Sequence, residues 1–304
     1  MSVVSRTGEL FRGERYRATR REIATTFRTL VRRPMGVAGL AIIIFFVGLA
    51  VSAPLIVGNF PDYVTGENVS RPNLPPSEGF PLGTDFLGRS NWALLVYGAR
   101  ISIIVGFTAS AVAMIIGTLI GVIAGYFGRW WDRVLSWVTD FFLVIPWLPF
   151  VLVIAAVLGR GFTTTVIAIA IVSWPTTARV IRSKVLSVKT LGYVQRARAV
   201  GAGDRHIMFR HIMPVLWPLI FANAILTVSN SIFTESFLAF FGFGEPARPS
   251  WGTMIQNSFD QVEFFKGAWW SVLPPGISIT ALVLAFAMVS TVLEEILNPR
   301  LRKR

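Results

Sequence analysis

The chain has 304 residues, of which 53% are hydrophobic and 15% charged, with a mean hydropathy of +0.61 and a formal net charge of +13. Soluble domains carry about 25% charged residues, so this composition excludes an ordinary soluble enzyme and indicates a polytopic membrane protein. The absence of cysteine excludes disulfides, thiolate metal sites and a cysteine nucleophile.

The first 35 residues hold nine arginines and are too long and too charged for the n-region of a cleavable signal; they read as a retained cytoplasmic arm. A helix needs about 20 apolar residues to cross a bilayer, and six stretches qualify. The first is Gly36–Val57. A segment rich in Pro, Gly and Asn follows, over 58–100. The second span, Ile101–Tyr126, is uncharged and contains Gly106, Gly117, Gly121 and Gly125, the last three spaced as G-x-x-x-G, which permits close helix approach. The third, Val134–Leu158, holds Pro146 and Pro149, and the fourth, Thr163–Ala178, holds Pro175; each proline removes a backbone donor and can kink its helix. The fifth is Val215–Phe237. A loop over 242–271 carries Trp251, Trp269 and Trp270, suited to an interfacial aromatic belt. The sixth is Val272–Leu293. The chain thus divides into a basic arm (1–35), a first span with a long external segment (36–100), and a five-helix core (101–304).

Lys and Arg accumulate in cytoplasmic segments. With the N-terminus inside, 23 of the 29 basic residues fall on the inner side and six on the outer, so both termini are expected in the cytoplasm. The +13 charge is therefore a topology signal rather than a nucleic-acid footprint. No ionisable side chain lies deep inside a span; Asp140 and Glu235 sit within a turn or two of span ends. A charge at the bilayer centre costs about 2.5–3.5 kcal/mol and is kept for a reason. Its absence argues against a proton-coupled carrier and against a voltage sensor. The chain also lacks a phosphate-binding G-x-x-x-x-G-K-[ST], an H-E-x-x-H and a G-x-S-x-G. No catalytic residue is expected. The two histidines, His206 and His211, are five apart and share a helical face poorly, which favours surface or interface roles over metal binding.

The remaining signal is the cytoplasmic segment Tyr193–Pro214, YVQRARAVGAGDRHIMFRHIMP. A short helix is expected over Tyr193–Val200, a break at Gly201-Ala202-Gly203, and a second short helix with Asp204 as its N-cap. Ile207, Met208, His211 and Ile212 form one stripe on it, and Pro214 ends the segment. Such a helix either lies on lipid headgroups or inserts into a groove of a partner.

The spacing resembles the cytoplasmic signature of ABC importer permeases, E-A-A, three residues, G, nine residues, I-x-L-P. Gln195-Arg196-Ala197 stands for E-A-A, Gly201 follows after three residues, and His211-Ile212-Met213-Pro214 closes the motif; Gln195, Arg196, His211 and Met213 depart from the general form. PLGTDFLGRS (81–90), YGARIS (97–102), SWP-x-x-AR (173–179), ESFLAFFGFG (235–244), SWGTMI (250–255) and NPRLR (298–302) are similar to blocks of the C-type permease of dipeptide and oligopeptide importers. The resemblance implies an all-α, six-span type I permease fold in a bacterial inner membrane. It implies that 190–214 is a coupling loop docking on an ATPase subunit through Gln195, Ala197, Gly201, Asp204, Ile207, His211 and Pro214. Gly201 would supply the bend, Asp204 the cap and Ile207 the apolar anchor. The implied assembly has a second, homologous permease, two ATPases holding ATP and Mg, and an extracytoplasmic peptide-binding protein; this chain itself would need no cofactor. Nickel complexes, glutathione or other peptide-like solutes are alternative cargoes, and a non-transporting membrane scaffold is a further alternative. The residues do not indicate a substrate-binding position.

Overall fold

The computed structural model describes residues 28–58, 70–245 and 247–297. Most of the basic arm, part of the 58–100 segment and the NPRLR tail lie outside them. The described residues form helices, two isolated β-bridges and no strand. Five helices are long and apolar enough to cross a membrane, and a bent helix pair raises the number to six.

Helix α1, Pro34–Val57, begins with proline in its first turn, where no amide partner is needed. The outer segment 70–90 is tied down by Thr84, whose hydroxyl donates to the Arg71 carbonyl (2.7 Å) and accepts from the Leu74 amide (2.8 Å). Helix α2, Asn91–Phe127, is capped by Ser90, which accepts from the Ala93 amide. It starts ten residues before the expected span and therefore crosses the 100/101 boundary drawn from the sequence. Its 37 residues measure about 55 Å, well beyond the roughly 30 Å of hydrocarbon, so its outer turns leave the bilayer.

The third span is two helices, α3 (Arg129–Val144) and α4 (Trp147–Leu158), bent by 95°. Pro146 stands at the break, whereas Pro149 falls in the first turn of α4 and breaks nothing. Helix α5, Phe162–Val188, runs uninterrupted through Pro175 and ten residues past the expected end at Ala178. Its final turns carry the charges that end the apolar run but not the helix.

Helix α6, Gly192–Ala199, precedes a continuous helical rod made of α7 (Asp204–Ile207), a π-turn (Met208–Ile212) and α8 (Met213–Phe240). Outside the bilayer, α9 (Trp251–Asp260) opens on a capping box between Ser250 and Thr253. Trp251 is not in an aromatic belt. It is fully buried, donates its indole N–H to the Leu95 carbonyl (2.9 Å), and stacks edge-on against Phe46. Trp269 is half exposed. Helix α10, Leu273–Leu297, returns to the inner side.

The core is built around α2. On its inner half, Gly117, Gly121 and Gly125 face α5; a Cβ at Gly121 would lie 2.6 Å from the Ala178 carbonyl oxygen and 2.9 Å from the Ile181 Cβ. The glycine spacing thus serves helix–helix packing. On its outer half, Leu95, Ala99 and Ile103 pack with α1, α8, α9 and α10.

Candidate functional site

The inner end of the bundle presents the α6–α8 segment, on the side that the basic-residue count assigns to the cytoplasm. Its break has a defined geometry. Gly201 adopts φ +83°, its amide donates to the Arg198 carbonyl (3.0 Å), and the Ala202 amide donates to the Ala197 carbonyl (3.0 Å). This pair of bonds is a Schellman C-cap, which requires a left-handed residue at the position of Gly201. The Ala-x-x-x-Gly spacing is therefore a helix terminator, and Ala197 contributes through its carbonyl.

Gln195 is exposed, and its amide donates to the Lys189 carbonyl (2.9 Å). That bond ties α6 back to the end of α5, where the Lys189 ammonium donates to the Gly125 carbonyl (2.6 Å). An amide performs this donation where a carboxylate would not.

Asp204 is not the N-cap. Gly203 occupies that position and Asp204 is the first helical residue. Its carboxylate instead accepts the Tyr126 hydroxyl at 2.5 Å, and the Arg198 guanidinium lies over the Tyr126 ring, 5.7 Å from its centroid. Tyr126, in the last turn of α2, is 5% exposed. It joins the two short helices to the bundle, and nothing in the loop sequence signals it.

Ile207 is not available as an anchor for a partner. It is fully buried, together with Val194 and Ile212, against Ile181, Val185, Leu216 and Tyr126. The most exposed apolar side chains of the segment are Val200, at 85% exposure, and Phe209, at 65%. Around them stand the exposed Arg196, Arg205, His206 and Arg210. None of the three arginines has an ion-pair partner among the described residues. The segment is thus rooted by one face and presents a second, mixed apolar and basic face.

Pro214, expected to end the segment, lies within a continuous helical rod. It is the second residue of α8, and the helix passes through it. The π-turn immediately before it absorbs the missing proline donor. That turn also corrects the reading of the histidines: a wider turn superposes positions five apart, and the His206 and His211 rings meet edge-to-face at 5.5 Å. The His211 carbonyl accepts the Tyr193 hydroxyl at 3.4 Å. Among the described residues no cluster of three or more metal-ligating side chains occurs.

Two ion pairs join α3 to α5 beside this segment. Arg182 donates to both oxygens of Asp132 (2.5 and 2.9 Å), and Arg179 donates to Asp140 (2.6 Å). Glu235, near the outer end of α8, is 2% exposed, and its carboxylate accepts the Ser236 hydroxyl.

The described helices thus form a membrane-spanning bundle whose inner end presents a mixed apolar and basic face, the architecture of a polytopic membrane protein. The chain belongs to the family of binding-protein-dependent transport system inner membrane components, whose profile matches residues 117–303. Residues 23–76 match the N-terminal transmembrane domain of oligopeptide transport permease C. Among curated relatives, it is 37% identical to a dipeptide transport system permease protein DppC of Alkalihalophilus pseudofirmus, over 91% of this chain and 89% of that one. It is 34% identical to an oligopeptide transport system permease protein OppC of Bacillus subtilis (88% and 87% covered), and 32% to a glutathione transport system permease protein GsiD of Pectobacterium atrosepticum (91% and 90%). The fold is shared with an inward-facing MetNI methionine ABC transporter, with a TM-score of 0.55 at 17% identity, covering 69% of this chain and 97% of that chain. The chain is a multi-pass permease of the ABC importer class, a class that works with ATPase and substrate-binding partners.

Proposed function

We propose that this chain is the inner-membrane permease subunit of an ATP-driven importer of di- or oligopeptides, and that its segment 190–214 receives the ATPase. In this reading the chain pairs with a second, homologous permease. Two cytoplasmic ATPases bind and hydrolyse ATP with Mg, and an extracytoplasmic protein delivers the peptide. The observation that carries the proposal is the exposure of Val200 and Phe209 on a segment whose other face is locked into the core. Gln195, Ala197, Gly201 and Asp204 shape this surface; Ile207 and Ile212 root it; His211 and Pro214 set the π-turn.

The mechanism follows from rigidity. A displacement applied at Val200 and Phe209 passes through Ile207, Ile212 and Tyr126 into α2, α5 and α8 together. Nucleotide must favour one arrangement of that unit over another, or it moves nothing. Dipeptide and oligopeptide relatives favour peptide cargo; the glutathione relative carries the alternative of a smaller peptide-like solute.

The absence of native cysteine permits a direct test. Val200→Cys and Phe209→Cys variants of the assembled transporter, treated with a short bifunctional thiol reagent, are expected to cross-link to the ATPase subunit, with a yield that changes on ATP binding. Cross-links that form only to lipid-facing reagents or to the other permease would sink the docking assignment. Uptake competition between oligopeptides, glutathione and nickel complexes then decides the cargo.

A further inference from the structure

The outer end of the bundle holds a cavity of about 240 Å³ that the coupling reading leaves unused. Three arginines from separate parts of the chain reach it: Arg89 ahead of α2, Arg160 in the turn between α4 and α5, and Arg248 ahead of α9. Three guanidinium groups around one cavity repel one another unless acidic groups offset them.

The offsets are incomplete. Arg89 is paired with Asp85 at 2.7 Å. Glu245 is the acidic residue in the wall, but its Oε2 accepts the Phe162 amide at the start of α5 (2.8 Å) and its Oε1 accepts the Ala247 amide (3.4 Å). Arg160 and Arg248 are exposed and have no ion-pair partner among the described residues. Gly242 leaves room beside them: a Cβ there would lie 3.0 Å from the Gln256 amide nitrogen and 3.5 Å from an Arg160 guanidinium nitrogen. Two cationic forks thus share the wall with one carboxylate already engaged by two backbone amides and with the neutral polar side chains of Thr253, Gln256 and Asn257. Guanidinium forks match carboxylates bidentately. The lining comes from loops and from α9, outside the candidate spans, so it is reached from the external side without entering the bundle.

The geometry points to a socket for an acidic side chain of the extracytoplasmic binding protein, held by Arg160 and Arg248. This inference rests on the reading of the chain as the receiver of such a protein. The docking of opposite charges also accelerates encounter and makes it salt-dependent.

The test uses the complete transporter in lipid nanodiscs and its binding protein. Arg160→Glu/Arg248→Glu is expected to raise the Kd for the binding protein about tenfold or more. Arg160→Lys/Arg248→Lys, which keeps the charge but loses the fork, should fall between wild type and the reversed variant, and acid-to-arginine changes on the binding protein should restore docking to the reversed variant. Rising ionic strength should weaken wild-type docking and have a smaller effect on Arg160→Gln/Arg248→Gln. Co-purification of each variant with its partner subunits controls for folding. Undiminished docking by the charge-reversed variant overturns the socket alone. A wild-type transporter that binds no such protein overturns both the socket and the reading beneath it. Intact docking with a selective loss of uptake of peptides bearing a free C-terminal carboxylate overturns the docking role and assigns the arginines to cargo.

Discussion

Ile207 and Phe209 are two residues apart, yet the structure separates their roles, and a paired truncation tests that separation. Ile207 is fully buried against α2, α5 and α8, whereas Phe209 is 65% exposed. Ile207→Ala removes buried methyl and methylene groups and leaves a cavity, at a cost of about 2–5 kcal/mol. A value of about 3 kcal/mol corresponds to a rise of roughly two orders of magnitude in local opening. Phe209→Ala removes a side chain already facing solvent, so it should change stability by about 0.5 kcal/mol or less. If Phe209 anchors the ATPase, its loss should instead weaken association by about 2 kcal/mol, near thirtyfold. Amide hydrogen exchange over 192–213 in the isolated permease reads the first effect; ATPase affinity in nanodiscs reads the second. Ile207→Ala should accelerate exchange with a secondary loss of affinity, and Phe209→Ala should lower affinity with exchange unchanged. The reverse pattern, in which Ile207→Ala is silent in exchange and Phe209→Ala opens the segment, would refute the assignment of the buried and docking faces.

Two further outcomes follow from packing and charge. Gly121→Ala places a Cβ 2.6 Å from the Ala178 carbonyl oxygen, so it should destabilise the α2–α5 contact by about 1–3 kcal/mol and lower the temperature of heat inactivation in detergent. Gly48→Ala, where nothing lies within 4 Å of the added atom, should be neutral or stabilising. Glu263, in the outer loops, is 1% exposed, and burial pushes its carboxyl above the usual glutamate range, with the Asp85 charge adding to the shift. The folded state therefore holds this proton more tightly than the unfolded chain. The stabilisation is complete below the unfolded pKa and is lost as pH rises through the raised folded value. Protease sensitivity of the outer loops should accordingly increase as pH rises above the usual glutamate range, and Glu263→Gln should flatten that dependence.

Much of this architecture was legible in the sequence because apolar length is a direct consequence of bilayer thickness. The six runs, the proline at the α3–α4 break and the glycine break at Gly201 all appear in the structure near their expected places. The helix ends were less legible. Residues 91–100 of α2 and 179–188 of α5 contain polar and charged side chains that end a hydropathy run, but backbone hydrogen bonding continues wherever the turns still pack. The amplitude of the Pro146 bend was not legible, since a lost donor permits a kink without setting its angle. Within the cytoplasmic segment, the pattern identified the apolar stripe but not which of two apolar surfaces the bundle would take. Ile207 went inward and Phe209 outward because the stripe follows the Tyr126 side of α2, a contact 81 residues away in sequence from Ile207. The His206–His211 approach was hidden for a different reason: helical-wheel reasoning assumes 3.6 residues per turn, and the π-turn does not obey it.

The π-turn between α7 and α8 gives the rod slack in chain length. Its i→i+5 bonding lets five residues span about the arc that four span in an α-helix, so removing one residue from Met208–Ile212 would restore an ordinary α-helix and turn Ile207 only slightly about the axis of α8. One residue removed from the regular turns of α8 meets no such slack and would rotate everything before it by about 100°. Ile207 would then swing off its seat and the basic face would point along a new bearing. The surplus residue thus marks the place on the rod where the chain can lengthen or shorten by one position without redirecting the face it carries.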